Sequence, residues 1–276
     1  MDLSISEQLM YSTVRIECQY KDGGSGTGTG FFFKLLETKE NGNHVPVVIT
    51  NKHVINGAIK GRLLFTKAHE NYEPIDREHF NVYFDNFESW WRKHPDPRVD
   101  LCAIPIAPFI KEAENKKEKL FYIPLDMSLI PTKEQLEEIS ALEEILMIGY
   151  PNGIWDGVNN KPIFRKGVTA TNPNIDYNGK KEFMIDAACF PGSSGSPVFI
   201  FNEGSYRDKK GNTYLGKNRI LLMGVLYAGP QHTATGEIKI INVPTSQRHI
   251  AISSIPNNLG LVIKSERIAD LEKLFR

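Results

Sequence analysis

The chain has 276 residues, 41% of them apolar and 24% charged, the balance of an ordinary soluble globular protein. Basic and acidic residues number 33 each, so the cationic excess expected of a nucleic-acid binder or a protein held on an anionic membrane is missing. No apolar run approaches the length that crosses a bilayer, and Met1 to Glu7 lacks the basic start and apolar core of a secretory leader.

These properties predict neither a nucleic-acid nor a membrane partner. The length suits two small domains or one bilobal domain with ample core. Cys18, Cys102 and Cys189 are an odd, widely spaced set with no CxxC pair. They read as reduced thiols, which sets the expected location as cytoplasmic.

Residues 12–20 alternate apolar and polar side chains, the pattern of a half-buried strand. Glycines then recur at every second position from Gly24 to Gly30, followed by Phe31-Phe32-Phe33. A dinucleotide-binding loop should open into a helix, and three phenylalanines point to a strand, so hairpin glycines are the better account. Residues 45–50 form another β-branched strand that ends at Asn51-Lys52-His53. A strand follows over 81–84, and then a polar loop over 85–97 that carries an exposed Trp90-Trp91 pair. The apolar strand after it opens with Asp100.

The Lys/Glu-rich stretch 111–119 and the helical composition of 132–144 read as solvated faces rather than sites. A second series of short strands is expected over 145–149, 164–171, 182–186, 198–202, 220–227, 238–243 and 260–263. The stretch 265–275 closes the chain as an amphipathic helix, with Ser265 as N-cap and apolar residues at 268, 271, 274 and 275. Many short strands with turns between them imply an all-β antiparallel barrel or sandwich.

Between residues 190 and 197 the chain reads Phe-Pro-Gly-Ser-Ser-Gly-Ser-Pro. Gly192 and Gly195 can take positive φ there, which lets a hydroxyl stand out while backbone N–H groups converge. That geometry suits a serine nucleophile beside an oxyanion hole. A serine hydroxyl needs an imidazole to remove its proton, and the imidazole needs a carboxylate to fix its tautomer. His53 and Asp100 supply both, each at a strand edge. Asp96 competes as orienter, but it lies in a His-Pro-Asp-Pro loop, whereas Asp100 opens the apolar strand. His44, His69, His79, His94, His232 and His249 have no such context. No histidine–cysteine set has a metal-ligand spacing, so neither metal nor cofactor is expected.

In this order the residues resemble the trypsin-like serine protease superfamily, and more closely its bacterial HtrA-type branch. Thr50-Asn51-Lys52-His53-Val54 resembles the histidine motif, Asp100-Leu101-Cys102-Ala103-Ile104 the aspartate motif, and Gly192-Ser193-Ser194-Gly195-Ser196-Pro197 the nucleophile motif. Supporting matches are Gly28-Thr29-Gly30-Phe31, the run from Ile148 to Gly153, Ile185-Asp186-Ala187-Ala188, and the run from Gly224 to Gly229.

The resemblance implies two six-stranded antiparallel β-barrels with a C-terminal α-helix. Residues 1–115 would form the lobe with His53 and Asp100, residues 116–264 the lobe with the nucleophile and specificity pocket, and 265–276 the helix. It also implies Ser194 as nucleophile in preference to Ser193 or Ser196, with Gly192 and Ser194 N–H groups as the oxyanion hole. The substrate pocket would be drawn from Ala188, Cys189, Tyr227, Ala228, Gly229 and Gly260. Without a carboxylate at Ala188, Lys or Arg before the scissile bond has no charge partner, so a small or apolar residue is expected there. Ser193 stands where digestive trypsins carry an aspartate that pairs with a freshly cut N-terminus, so activation by trimming is not expected. No PDZ domain is expected in the 276 residues. The function implied is that of a serine endopeptidase acting on protein or peptide substrates under a regulatory partner. A non-catalytic protease-fold binding module is the alternative.

Overall fold

The structure is a computed structural model. It describes residues 2–38, 40–229, 231–238 and 249–276, with the stretches 231–238 and 249–256 as backbone only. The first sheet is built from β1 (Thr13–Tyr20), β2 (Ser25–Leu35), β3 (Val45–Thr50), β4 (Ala58–Ala68), β5 (Pro74–Asp85), β6 (Arg92–Lys93), β7 (Cys102–Pro105) and β8 (Lys119–Phe121). Its order is β5-β4-β1-β2-β3-β7-β6, with β8 paired to β4.

Six later strands close a second, antiparallel barrel. They are β9 (Glu144–Gly149), β10 (Ile163–Thr169), β11 (Glu182–Asp186), β12 (Pro197–Asn202), β15 (Arg219–Ala228) and β18 (Leu259–Lys264), in the order β10-β11-β18-β15-β12-β9. Two separate hairpins stand beside it, β13 (Ser205–Arg207) with β14 (Thr213–Leu215), and β16 (Gln231–Ile238) with β17 (His249–Pro256). The strand expected over 238–243 falls outside the described residues beyond Ile238. All-β architecture with trypsin-like barrels is therefore the fold.

The three phenylalanines of β2 explain how the lobes join. Successive side chains on a strand face opposite ways. Phe32 points into the first sheet's own core with Ile16, Val48 and Phe65. Phe31 and Phe33 point into a second core, where they meet Leu146, Ile148, Phe199 and Leu222 from the barrel. Both faces of β2 are buried, so its sequence reads as a continuous apolar run instead of alternating. The barrel interior forms a third core around Met147, Phe183, Val198 and Val262.

Of the repeated glycines, Gly24 lies in the hairpin turn, whereas Gly26, Gly28 and Gly30 lie inside β2. Each leaves room for a neighbour's side chain. A Cβ at Gly30 would press on Val48, and one at Gly28 would overlap Val54, the residue after His53. Close approach of the strand to the segment carrying His53 therefore depends on Gly28.

The C-terminal helix is present but is wound as a 3₁₀-helix over Ser265–Leu274. Lys264, not Ser265, is its N-cap, and the cap makes no side-chain bond. Ser265, Ile268 and Leu271 are buried and Leu274 packs beside them. Their spacing of three matches the 3₁₀ repeat, in which side chains at i and i+3 eclipse. Leu36 N–H donates to Glu272 Oε1 at 3.0 Å, and Arg92 stacks on Phe275. The helix thereby braces the first lobe.

Candidate active site

His53 sits in a single helical turn, α1 (Lys52–Ile55), that starts where β3 ends. Asp100 lies just before β7, the neighbour of β3 in the sheet. The pairing of Thr50 with Cys102 puts the ends of the two strands side by side. Asn51 Nδ2 donates to the Asp100 carbonyl oxygen at 2.8 Å and pins the connection.

The Asp100 carboxylate takes both available donors of His53. The backbone N–H reaches Oδ1 at 3.1 Å and ring Nδ1 lies 2.5 Å from Oδ2. With Nδ1 donating to a carboxylate, the neutral ring carries its lone pair on Nε2, where it can accept a proton. Asp96 does not compete. Its carboxylate bonds Arg98 and Arg267, and those bonds, the Arg98 side chain's above all, hold its pKa down at about 2.

Ser194 lies on the loop between β11 and β12, half-buried. Gly192 and Gly195 have φ of 86° and 88°, in the left-handed region that favours glycine. The side of each that would hold a Cβ is already occupied. At Gly192 it would meet the Tyr150 carbonyl oxygen at 2.5 Å, and at Gly195 it would overlap the Thr29 carbonyl oxygen.

The loop is fastened by backbone bonds on both sides. Asn152 N–H donates to Pro191 O at 2.5 Å, Gly195 N–H to Leu226 O at 2.8 Å, and Ser193 N–H to Phe190 O at 3.0 Å. Neither Gly192 N–H nor Ser194 N–H has an acceptor among the described residues. Free backbone N–H groups two residues apart, one of them on Ser194 itself, are the kind of donors that can bond an oxyanion. The Ser194 hydroxyl likewise has no hydrogen-bond partner among the described residues. Bonds from nucleophile to base commonly tighten only when substrate is bound.

Thr29 of β2 ties this loop to the first sheet. Its N–H donates to Ser194 O and its hydroxyl to Gly192 O, both at 2.9 Å, while the hydroxyl accepts from Tyr150 N–H at 3.1 Å. Thr50 Oγ1, three residues before His53, donates to Thr29 O at 2.7 Å. His53 and the Ser194 loop thus hang from one threonine.

Of the residues expected at the pocket, Cys189, Gly229 and Gly260 come together. A Cβ on Gly260 would lie 2.6 Å from the Cys189 sulfur, and one on Gly229 would lie 3.7 Å from the Cys189 Cβ. Burial pushes the Cys189 thiol up to about 11. Tyr227 turns its hydroxyl to Glu182 at 2.9 Å, and burial raises its pKa. Arg165, a residue that carries no motif, also reaches the site. Its guanidinium donates to Ala188 O and, at 3.3 Å, to Ser193 Oγ, and lies over the Phe190 ring. Nothing in the local sequence singles it out, since a second cation, Lys166, follows it in the same strand.

The Trp90-Trp91 pair is not an exposed unit. Trp90 is open to solvent, whereas Trp91 is buried edge-on against Phe87. Among the described residues no cluster of His, Cys, Asp and Glu could hold a metal ion.

Residues 28–205 match the family model of the trypsin-like peptidase domain. That span runs from the glycine of β2 at the His53 turn past the Ser194 loop, and the chain belongs to this family of serine peptidases. No curated protein matches. Among solved structures, the HtrA-type protease AlgW with tripeptide shares 15% identity at a TM-score of 0.48, over 96% of this chain and 60% of its own. The Rv3671c protease from M. tuberculosis, active form, shares 16% at 0.45, over 96% and 81%. The serine endoprotease from Yersinia pestis shares 14% at 0.47, over 99% and 67%. This chain thus spans less than two thirds of the AlgW structure. Family membership rests on the sequence model, not on these superpositions.

Proposed function

We propose that the chain is a serine endopeptidase in which Ser194 attacks the peptide carbonyl, His53 accepts and later returns the proton, and Asp100 orients His53. Gly192 and Ser194 N–H groups hold the oxyanion, and an acyl-enzyme on Ser194 is then hydrolysed by water. The observation that carries this is the double seat of His53 on Asp100, at 2.5 Å through Nδ1 and 3.1 Å through the backbone N–H. It leaves Nε2 as the proton acceptor, the arrangement that activates a serine.

The substrate is a protein or peptide with a small or apolar residue before the scissile bond. Support comes from the Cys189 sulfur packed against Gly260 and from the absence of a carboxylate at Ala188, which leaves a basic side chain there without a charge partner. A cytoplasmic location fits the three free thiols, and in that compartment proteolysis requires a regulatory partner or effector.

A fluorophosphonate probe tests the reading. Labelling of the wild-type protein is expected at one site and lost in Ser194→Ala and His53→Ala. Casein hydrolysis should follow the same pattern. Unlabelled, inert protein with unchanged peptide binding would sink the enzyme reading and leave a binding module.

A further inference from the structure

Among the described residues, Arg165 is the cation that reaches the nucleophile loop from the second barrel. It lies on β10 in register with Met147 of β9. Directly paired residues on neighbouring antiparallel strands share a face, and Met147 belongs to the barrel's interior core. Phe164, one residue earlier, pairs with Ile148 and faces the core between the lobes. Arg165 therefore points inward, and its guanidinium reaches the loop over 188–193.

An inward guanidinium must find acceptors, because a charge taken from water is costly unless it is bonded. The acceptors here are the Ala188 carbonyl oxygen and the Ser193 hydroxyl. Ser193 is buried, and its hydroxyl also accepts from Phe190 N–H at 3.4 Å. Phe190 in turn lies under the guanidinium, 5.1 Å from ring centroid to Cζ. One side chain thereby joins the start of the loop, its middle, and the residue next to Ser194.

We propose that Arg165 is a positioning residue that holds the 188–193 loop, and with it the free N–H groups of Gly192 and Ser194, in the shape that receives an oxyanion. The guanidinium supplies from within the chain the cation that a freshly cut N-terminus supplies where an aspartate stands at the Ser193 position. The loop is then set without trimming. This rests on the reading of Ser194 as the nucleophile.

The test is steady-state kinetics on a chromogenic peptide with alanine before the scissile bond, comparing wild type with Arg165→Gln, Arg165→Lys and Ser193→Ala. Loss of the clamp removes a stabilisation felt in the transition state. The expected result for Arg165→Gln is a fall in kcat of about 10- to 100-fold with little change in KM. Adding guanidinium ion should restore part of the loss in Arg165→Gln and none in Ser194→Ala. Arg165→Lys should recover less than the added ion does, since one ammonium cannot reproduce the planar fork. Arg165→Gln and Ser193→Ala together should cost no more than the larger single loss. If Arg165→Gln does not fold, Ser193→Ala alone must show the same split between kcat and KM.

An unchanged kcat in Arg165→Gln overturns the proposal. So does an effect confined to which residue is accepted before the scissile bond, which would make Arg165 a pocket charge. Failure of the wild-type protein to label or turn over would instead count against Ser194 as nucleophile.

Discussion

Thr29 donates its amide proton to the carbonyl oxygen of Ser194 at 2.9 Å, from one sheet to the loop between β11 and β12 of the other. The same threonine's hydroxyl spans Gly192 O and Tyr150 N–H. The residues that carry the two free N–H groups, Gly192 and Ser194, are thus both held through their own carbonyl groups. The separation of Ser194 from His53 is set by β2, and not by the loop alone.

Replacing Thr29 by valine keeps the volume and the backbone bond but removes the hydroxyl. Gly192 O and Tyr150 N–H then lose a buried partner, a cost of about 1–3 kcal/mol. Denaturant unfolding should register that loss, and kcat on a small peptide should fall more than KM rises. Wild-type stability and kcat in Thr29→Val would show that the loop is held elsewhere.

Gly195→Ala should be more severe. It forces a side chain into positive φ and into the space of the Thr29 carbonyl oxygen. Backbone strain and overpacking together predict a loss of at least about 2 kcal/mol. Probe labelling of Ser194 should disappear even at temperatures where circular dichroism shows folded protein.

Asp100→Asn separates orientation from charge. An amide can still meet the His53 ring, but it can stabilise the wrong tautomer and no longer balances an imidazolium. A fall in kcat of about 10⁴-fold is expected, against a melting temperature within a few degrees of wild type. Retained activity would move the orienting role to another carboxylate.

Asp96 gives a pH signature away from the chemistry. Its carboxylate titrates at about 2, below the ordinary 3.8, because Arg98 and then its backbone N–H bond the charged form. A depressed folded-state pKa contributes stability above the unfolded value and loses it as pH falls through the folded one. Asp96→Asn should therefore melt earlier than wild type at neutral pH, with the difference vanishing between about pH 4 and pH 2. Equal melting curves at neutral pH would show that Asp96 does not anchor Arg267 and the C-terminal helix.

Thiol chemistry distinguishes Cys189 from a reactive cysteine. With Cys189 at about 11 and Cys18 at about 12, both raised by burial, the thiols are protonated at neutral pH. The thiolate fraction of Cys189 there is on the order of 10⁻⁴. Iodoacetamide should leave folded protein unmodified on the timescale that alkylates a free thiol, and the Cys189 rate should climb about tenfold per pH unit. Rapid neutral labelling with loss of activity would contradict this burial.

Much of the architecture is legible in the chain because β-branched runs and turn residues alternate, and His53 and Asp100 each sit at a strand edge. What escapes is set by contacts distant in sequence. β4 is weak as a strand signal because Gly61 interrupts it, and the Phe87 ring fills the space where its side chain would stand. The Trp pair splits because Phe87, four residues before Trp91, offers it a buried edge. In the last helix the spacing of Ile268, Leu271 and Leu274 already carries the 3₁₀ period, yet it passes for an α-helical stripe when 275 is counted with it. Arg165 has no local signal at all, since its meaning comes from register with Met147.

The double burial of β2 bears on how the protein is made. When the first sheet has left the ribosome, Phe31, Phe33 and Leu35 still face outward, because their cover comes from strands that start at Glu144 and from the helix that ends at Leu274. Domains generally fold as units during synthesis, and apolar surface left open at that stage invites aggregation. The nascent first lobe thus carries a sticky face until the strands from Glu144 onward and the last helix have followed it, so the second barrel completes the folding of the first sheet.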